Sequence, residues 1–383
     1  MPRYPHVDPD VAAIPGSLFS TLGHKLAAWK GELYPLHIGD TWMEPPAGCR
    51  MEDLTVAEYP GLHRYTTVHG LAPLLDAIAE RATRLQGVPT APDDVLVTAG
   101  ATGALSAIIR TLCSPGDELL VVAPFWPLIR SAALAMGATP VAVPLFETAH
   151  DPASAIAALE AARTPRTVAV YYNTPHNPTG RVIPPEWLAA IAVWARKQDL
   201  WVLADEVYEH YVYRGEHAYG RSLAPERTFS AHSFSKAYGM TGNRCGYLLG
   251  PPAALRAARN ISTNTWYCAP RASQVAALRA LAGPGDAWAA EAAALYAELG
   301  RDAADALGVA RPEGSTFLFV DVAHCLDERG LEGFLFDCAD EGLFVAPGAA
   351  FGPYPTHVRI CFTAAEPAVI RRGVERFARR IGR

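Results

Sequence analysis

The sequence predicts an α/β fold: a large domain on a mostly parallel seven-stranded sheet, joined to a smaller α+β domain assembled from both chain ends. Two patterns carry this. From about Asp93 onward, short apolar runs alternate with helical stretches, and most of those runs are continuously apolar, as strands buried on both faces must be. The two ends lack that alternation. In order, Val95–Thr98, Leu119–Ala123, Thr139–Val143, Val168–Tyr172, Leu200–Ala204, Thr228–His232 and Cys245–Leu249 read as strands. Between them, Pro185–Lys197 opens on a proline and repeats Trp187, Ile191 and Trp194 at helical spacing.

At the N-terminus Leu18, Phe19, Leu22, Leu26 and Trp29 form one face of a helix. Ala287–Leu307 reads as a long alanine-rich helix, followed by a strand at Thr316–Val320, a helix at Leu331–Glu341 and short strands near Phe344 and Val358. The expected division is a large domain over 46–285 and a small one from 1–45 and 286–383.

Composition limits function. The 383 residues are 50% apolar and 19% charged, with a net charge of −6, so electrostatic capture of nucleic acid or anionic membrane has no support. A long uncharged run, Ser131 to Phe146, is broken by Gly137, Pro140 and Pro144 and is too short to span a bilayer. The first residues lack a signal-peptide core, and the seven cysteines form no C-x-x-C pair; both fit a protein of the reducing cytoplasm. The 12 histidines show no H-x-H or H-x-x-x-H spacing, so no metal site is expected. No G-x-G-x-x-G follows a strand, and P-loop and G-x-S-x-G motifs are missing, which removes dinucleotide, P-loop and hydrolase-elbow readings.

Four segments remain: Tyr172 to Gly180 (Y-N-T-P-H-N-P-T-G), Ala204 to Tyr208 (A-D-E-V-Y), Ser233 to Arg244 (S-F-S-K-A-Y-G-M-T-G-N-R) and Val358-Arg359-Ile360. The first three follow core strands, at the edge of a parallel sheet where ligands bind. Their order and spacing resemble the fold type I pyridoxal-phosphate enzymes, in particular the class I/II aminotransferases of the aspartate aminotransferase superfamily. The likeness runs from Tyr65…Gly70-Leu71 to Arg359. It implies a fold type I architecture, pyridoxal 5'-phosphate as cofactor, amino acids and 2-oxo acids as substrates, and a homodimer.

Pyridoxal chemistry needs a primary amine to form a Schiff base and to shuttle a proton. Of 33 basic residues only Lys25, Lys30, Lys197 and Lys236 are lysines. The first two belong to the N-terminal helix and Lys197 to the last turn of another, leaving Lys236, in a serine- and glycine-rich turn after a core strand. Asp205 ends a buried strand, where a carboxylate needs a cation or hydrogen bonds. The family resemblance supplies the pyridine nitrogen; a helix N-cap is the plainer reading. Tyr208 and Asn177 match the family's donors to the ring's phenolic oxygen, although alone they read as a packed aromatic and a turn residue. The resemblance gives the phosphate to Ala101 and Thr102 at a helix start, to Ser233 and to Arg244, with Ser235 as a further candidate. Gly100 stands where the family often has serine. Trp126 matches the aromatic stacked on the ring, or else is a core tryptophan. Tyr65 matches the tyrosine that reaches the neighbouring subunit's phosphate. Arg359, between apolar residues, matches the arginine that grips the substrate's α-carboxylate, and Gly39 a backbone contact to the same group.

These matches imply ping-pong transamination through Lys236. The same carbanion also permits elimination, replacement or cyclisation, and related domains act as ligand sensors in regulators. Thr263 and Asn264 stand where dicarboxylate-specific relatives carry an arginine, although Arg64 or Arg271 could substitute; Trp42, Trp266 and Tyr267 suggest an aromatic pocket. Asp40 and Glu44 suggest a pocket for a cationic, arginine-like side chain.

Overall fold

The computed structural model describes Ala12, Ile14 and residues 22–383. The large sheet contains β1 (Val95–Thr98), β2 (Glu118–Val122), β3 (Thr139–Val143), β4 (Thr167–Asn173), β5 (Trp201–Asp205), β6 (Thr228–Ser233) and β7 (Gly246–Leu249). Every expected strand is present, with its ends moved by no more than one residue. Across the sheet the order is β1-β7-β6-β5-β4-β2-β3. The run from β3 to β6 is parallel, and β7 is antiparallel to both of its neighbours.

Strand alternation divides the core. On β4, Ala169 and Tyr171 pack with Leu105 and Ile108 of helix Gly100–Leu112, while Val170 and Tyr172 pack on the other side with Leu159, Trp187 and Ile191. Each fully buried Leu or Ile contributes about 1.5–3 kcal/mol by leaving water. The register pairs Asn173 with Asp205 and Asp205 with Ala231, so β4, β5 and β6 end side by side. That shared edge positions the site.

A second sheet, antiparallel throughout, has the order β8-β10-β9, with β8 at Phe317–Asp321, β9 at Ala346–Pro347 and β10 at His357–Cys361. Helices Gly285–Leu307, Gly330–Ala339 and Pro367–Arg380 cover it through Leu299, Phe334 and Phe377. The N-terminal segment joins this core through Leu22, Tyr34 and Leu36, and Tyr34 bridges in parallel to Leu343. The N-terminal helix covers Gly23–Ala28; Leu18 and Phe19 lie outside the described residues. The short strand expected near Phe344 begins two residues later, because Phe344 donates its amide to Tyr34 (3.1 Å) rather than to the sheet.

Candidate active site

A cavity of about 630 Å³ opens at the edge where β4, β5 and β6 end, with Arg359 of β10 on its opposite wall. Lys236 lies in the single-turn helix Phe234–Ala237 that follows β6; Ser233 caps this turn, its hydroxyl accepting from the Ser235 amide at 3.1 Å. The amine of Lys236 donates to the Gly39 carbonyl. Burial draws its pKa down, and the nearby Asp40 carboxylate opposes that shift. A lowered pKa keeps more of the amine neutral and nucleophilic. The other lysines are elsewhere: Lys25 is paired with Asp340, and Lys30 and Lys197 are exposed.

Asp205 is buried at the tip of β5. Its Oδ2 accepts from the Tyr171 hydroxyl at 2.7 Å, and Asn173 Nδ2 donates to its main-chain carbonyl at 2.8 Å. Burial raises the carboxyl pKa to about 6, partly offset by Tyr171, the Val207 amide and His232. The strain of a carboxylate held there is relieved by a cation, which a pyridinium N–H supplies.

The loop after β4 places Asn177, whose amide donates to Asn173 Oδ1 at 2.7 Å. Its own Oδ1 accepts from Arg359 Nη1 at 3.0 Å, and Arg359 Nη2 donates to the His37 carbonyl at 2.6 Å. The Arg359 guanidinium lies 4.3 Å from the Phe317 ring centre and 4.9 Å from that of Phe351. Burial lowers its pKa, and its Nε has no hydrogen-bond partner among the described residues. A buried guanidinium without a carboxylate beside it is set up to receive one from outside. Tyr208, buried at the rim, meets Phe317 edge-on at 5.6 Å, and burial pushes its hydroxyl pKa up, keeping it a donor.

The opposite end of the cavity suits a phosphate. Ala101 and Thr102 lie in the first turn of helix Gly100–Leu112, where amides have no intrahelical acceptor. Arg244 takes the left-handed conformation (φ 51°), an uncommon one for a side-chain-bearing residue, and its Nη1 donates to the Thr241 carbonyl at 2.9 Å. Gly100 explains the missing serine: at φ +71° its hypothetical Cβ would stand 2.7 Å from Arg244 Nη2. Glycine there gives the guanidinium its place. Trp126, Ser233 and Ser235 also line the cavity, with Trp126 capping helix Pro127–Ala135. An amine, a buried carboxylate, an aromatic wall and an anion cradle thus fit pyridoxal phosphate.

Tyr65 is expected to serve a neighbouring subunit rather than its own chain, and the aromatic residues expected in the pocket do not line this cavity. Tyr65 is 79% exposed, outside the cavity of its own chain, with its ring against Tyr267 at 4.9 Å. Trp42 packs instead on Tyr296 of the small core, and Trp266 against Gly103, so neither they nor Tyr267 lines the cavity. Glu44 is exposed, while Asp40 accepts from the Thr41 amide (2.8 Å) and the Thr241 hydroxyl (3.2 Å). Tyr171, Asn173 and Arg130 escaped the sequence reading: Tyr171 holds Asp205 through its hydroxyl, while Asn173 and Arg130, the latter one turn beyond Trp126, line the cavity. Strand alternation was the available signal for the first pair, since residues 171, 173 and the tip of β4 share one face.

Residues 44–377 match the family model for aminotransferase class I and II. The chain is 32% identical over 341 residues to the aspartate/prephenate aminotransferase of Thermus thermophilus, covering 84% of each chain. It is 34% identical over 348 residues to the arginine–pyruvate transaminase of Pseudomonas aeruginosa, covering 88% of this chain and 87% of that one. Among solved structures, the Thermus thermophilus aspartate aminotransferase with maleate superimposes with a TM-score of 0.88 at 29% identity, covering 98% and 99% of the two chains. The N-succinyldiaminopimelate aminotransferase of Mycobacterium tuberculosis gives 0.89 at 28% identity, covering 98% of this chain and 100% of that one. The sheet order, the lysine-bearing cavity and these likenesses agree: the chain belongs to the class I and II aminotransferases, as a pyridoxal-phosphate-dependent enzyme that moves amino groups between amino acids and 2-oxo acids.

Proposed function

We propose that Lys236 is the catalytic amine of a ping-pong transamination. The observation that carries this is its position as the only lysine on the cavity wall, held by the Gly39 carbonyl, in the same cavity as the buried Asp205. When bound, pyridoxal phosphate supplies an aldehyde that captures amines and a ring that takes up the electron pair left at the substrate's Cα. Lys236 would take the proton from the substrate's Cα and hold it for return as the amino group is transferred. Asp205 would balance a positive charge on the ring nitrogen, and Tyr171 keeps the carboxylate oriented for it. Asn177 and Tyr208 would hold the ring's phenolic oxygen, and Trp126 would supply an aromatic wall for the ring. Ala101, Thr102, Ser233 and Arg244 would hold the phosphate. Arg359 orients the substrate through its α-carboxylate, which together with Gly39 aims the Cα–H bond at Lys236.

The working unit on this reading is a homodimer in which exposed Tyr65 reaches the phosphate of the neighbouring site. The large domain is assigned to 46–285 and the small one to 1–45 and 286–383, and the setting is the cytoplasm. The seven cysteines, all unpaired, support a reducing compartment. No described helix is long and apolar enough to cross a membrane. Replacing Lys236 with Ala tests the proposal: 2-oxo acid formation should fall by at least about 1,000-fold. Near-normal turnover would overturn it.

A further inference from the structure

Among the described residues, the charged side chains on the cavity wall are Asp205, Lys236, Arg244, Arg359 and Arg130. On the functional reading above, on which this inference rests, the first four have counter-charges. Asp205 faces the pyridine nitrogen, Arg244 the phosphate and Arg359 the α-carboxylate, while Asp40 sits beside Lys236. Arg130 is left over. It lies on helix Pro127–Ala135, one turn after Trp126, and is exposed at the opening of the cavity and of a smaller recess beside it. Among the described residues it has neither a hydrogen bond nor a carboxylate in ion-pair range.

Its surroundings sharpen the point. Ile14, Pro127, Leu128, Ala349 and Ala350 line the same opening and offer no polar side-chain group, and Ser131 is the one hydroxyl next to it on its helix. A substrate side chain entering there meets an apolar passage that ends at one unneutralised guanidinium. An anionic end gains a charge-assisted pair, whereas a cationic end meets like charge without compensation. The carboxylates expected to welcome a cation do not face it: Glu44 is exposed away from the cavity, and Asp40 is held by Thr41 and Thr241 near Lys236.

We propose that Arg130 is a specificity-determining residue that selects amino acids and 2-oxo acids bearing a second anionic group at the far end of the side chain. The site would then favour an acid over its uncharged amide of nearly the same shape, and the preference would reside in Arg130 rather than in the groups that hold the cofactor.

The test uses the holoenzyme and compares kcat/KM for glutamate with that for glutamine, and for 2-aminoadipate with that for its side-chain amide. The wild type is expected to favour each acid. In an Arg130→Met variant the acid-to-amide ratio should fall about 10- to 100-fold. Arg130→Lys should retain most of the preference, and Arg130→Glu should reverse it. An unchanged ratio in Arg130→Met, an equal loss for acid and amide, or a wild type that prefers glutamine or arginine to glutamate would overturn the proposal. A Lys236→Ala variant assayed in parallel separates the two readings. If it is inactive while the Arg130→Met ratio is unchanged, only the role of Arg130 fails; if it turns over normally, the assignment of the site itself fails.

Discussion

Arg359 and Asn177 meet across the cleft between the two sheets: Nη1 of Arg359, on β10, donates to Oδ1 of Asn177, just beyond β4, at 3.0 Å. This bond fixes both partners. With its oxygen turned to Arg359, Asn177 keeps its NH2 group free to donate into the cavity. Arg359 in turn is steadied by the His37 carbonyl and by two phenylalanine rings, which leaves one edge of its fork for a carboxylate. Arg359→Met should therefore lower kcat/KM by about 100-fold or more for every amino acid, chiefly through KM. Steady-state kinetics over several donors checks this; a loss confined to one donor would mean that the guanidinium reads the side chain instead.

Asp205 gives a prediction in which stability and activity move oppositely. Its folded-state carboxyl pKa is about 6, above its ordinary 3.8. The folded form thus binds the proton more tightly, and this contribution to stability is present below about pH 4 and lost as pH rises through about 6. At pH 7.5 the charged, buried carboxylate weakens the cofactor-free protein. Asp205→Asn should raise the melting temperature of that form at pH 7.5, by an amount equivalent to about 1–3 kcal/mol, with the gap closing toward pH 4. The same variant should lose at least about 100-fold in turnover. A cofactor-free variant that melts lower than wild type at pH 7.5 would contradict the electrostatic argument.

Gly100 can be tested as the seat of Arg244. Gly100→Ser adds a Cβ 2.7 Å from Arg244 Nη2 on a backbone at φ +71°, so the guanidinium must shift. The family's hydroxyl should not help this chain. Cofactor affinity, measured by fluorescence titration of the cofactor-free protein, is expected to weaken about tenfold.

Tyr65 makes the dimer testable without a structure of it. If Tyr65 serves the neighbouring site, a Tyr65→Ala subunit paired with a Lys236→Ala subunit contains one site with both residues intact. Mixing and refolding the two impaired variants should restore activity well above either alone, up to about a quarter of wild type if the pairing is random. No recovery in verified mixed dimers would place Tyr65 outside the neighbouring site.

The strands were legible because burial on both sheet faces demands uninterrupted apolar runs, and β1 to β7 follow Val95–Thr98 through Gly246–Leu249 almost residue for residue. Lys236 was legible by elimination among four lysines, and Asp205 from its position at the end of a run of buried residues. Positions that depend on long-range approach were not. Nothing local to Gly100 announces that Arg244, 144 residues later, needs its space. Trp42, Trp266 and Tyr267 carry aromatic character but not direction, and the fold turns them onto Tyr296, Gly103 and Tyr65 rather than into the cavity. Arg130 sits in an ordinary amphipathic helix, and only the arrangement of the cavity wall distinguishes it from a solvated surface arginine.

The most direct measurement mixes the purified holoenzyme with a responsive amino acid and no 2-oxo acid, and counts the products. Transamination by Lys236 predicts a single burst of one 2-oxo acid per active site, no free ammonia, and then a halt until an acceptor 2-oxo acid is added. Lys236→Ala should show no burst on that timescale. Continuous release of ammonia and 2-oxo acid without an acceptor, or a normal burst from Lys236→Ala, would contradict it.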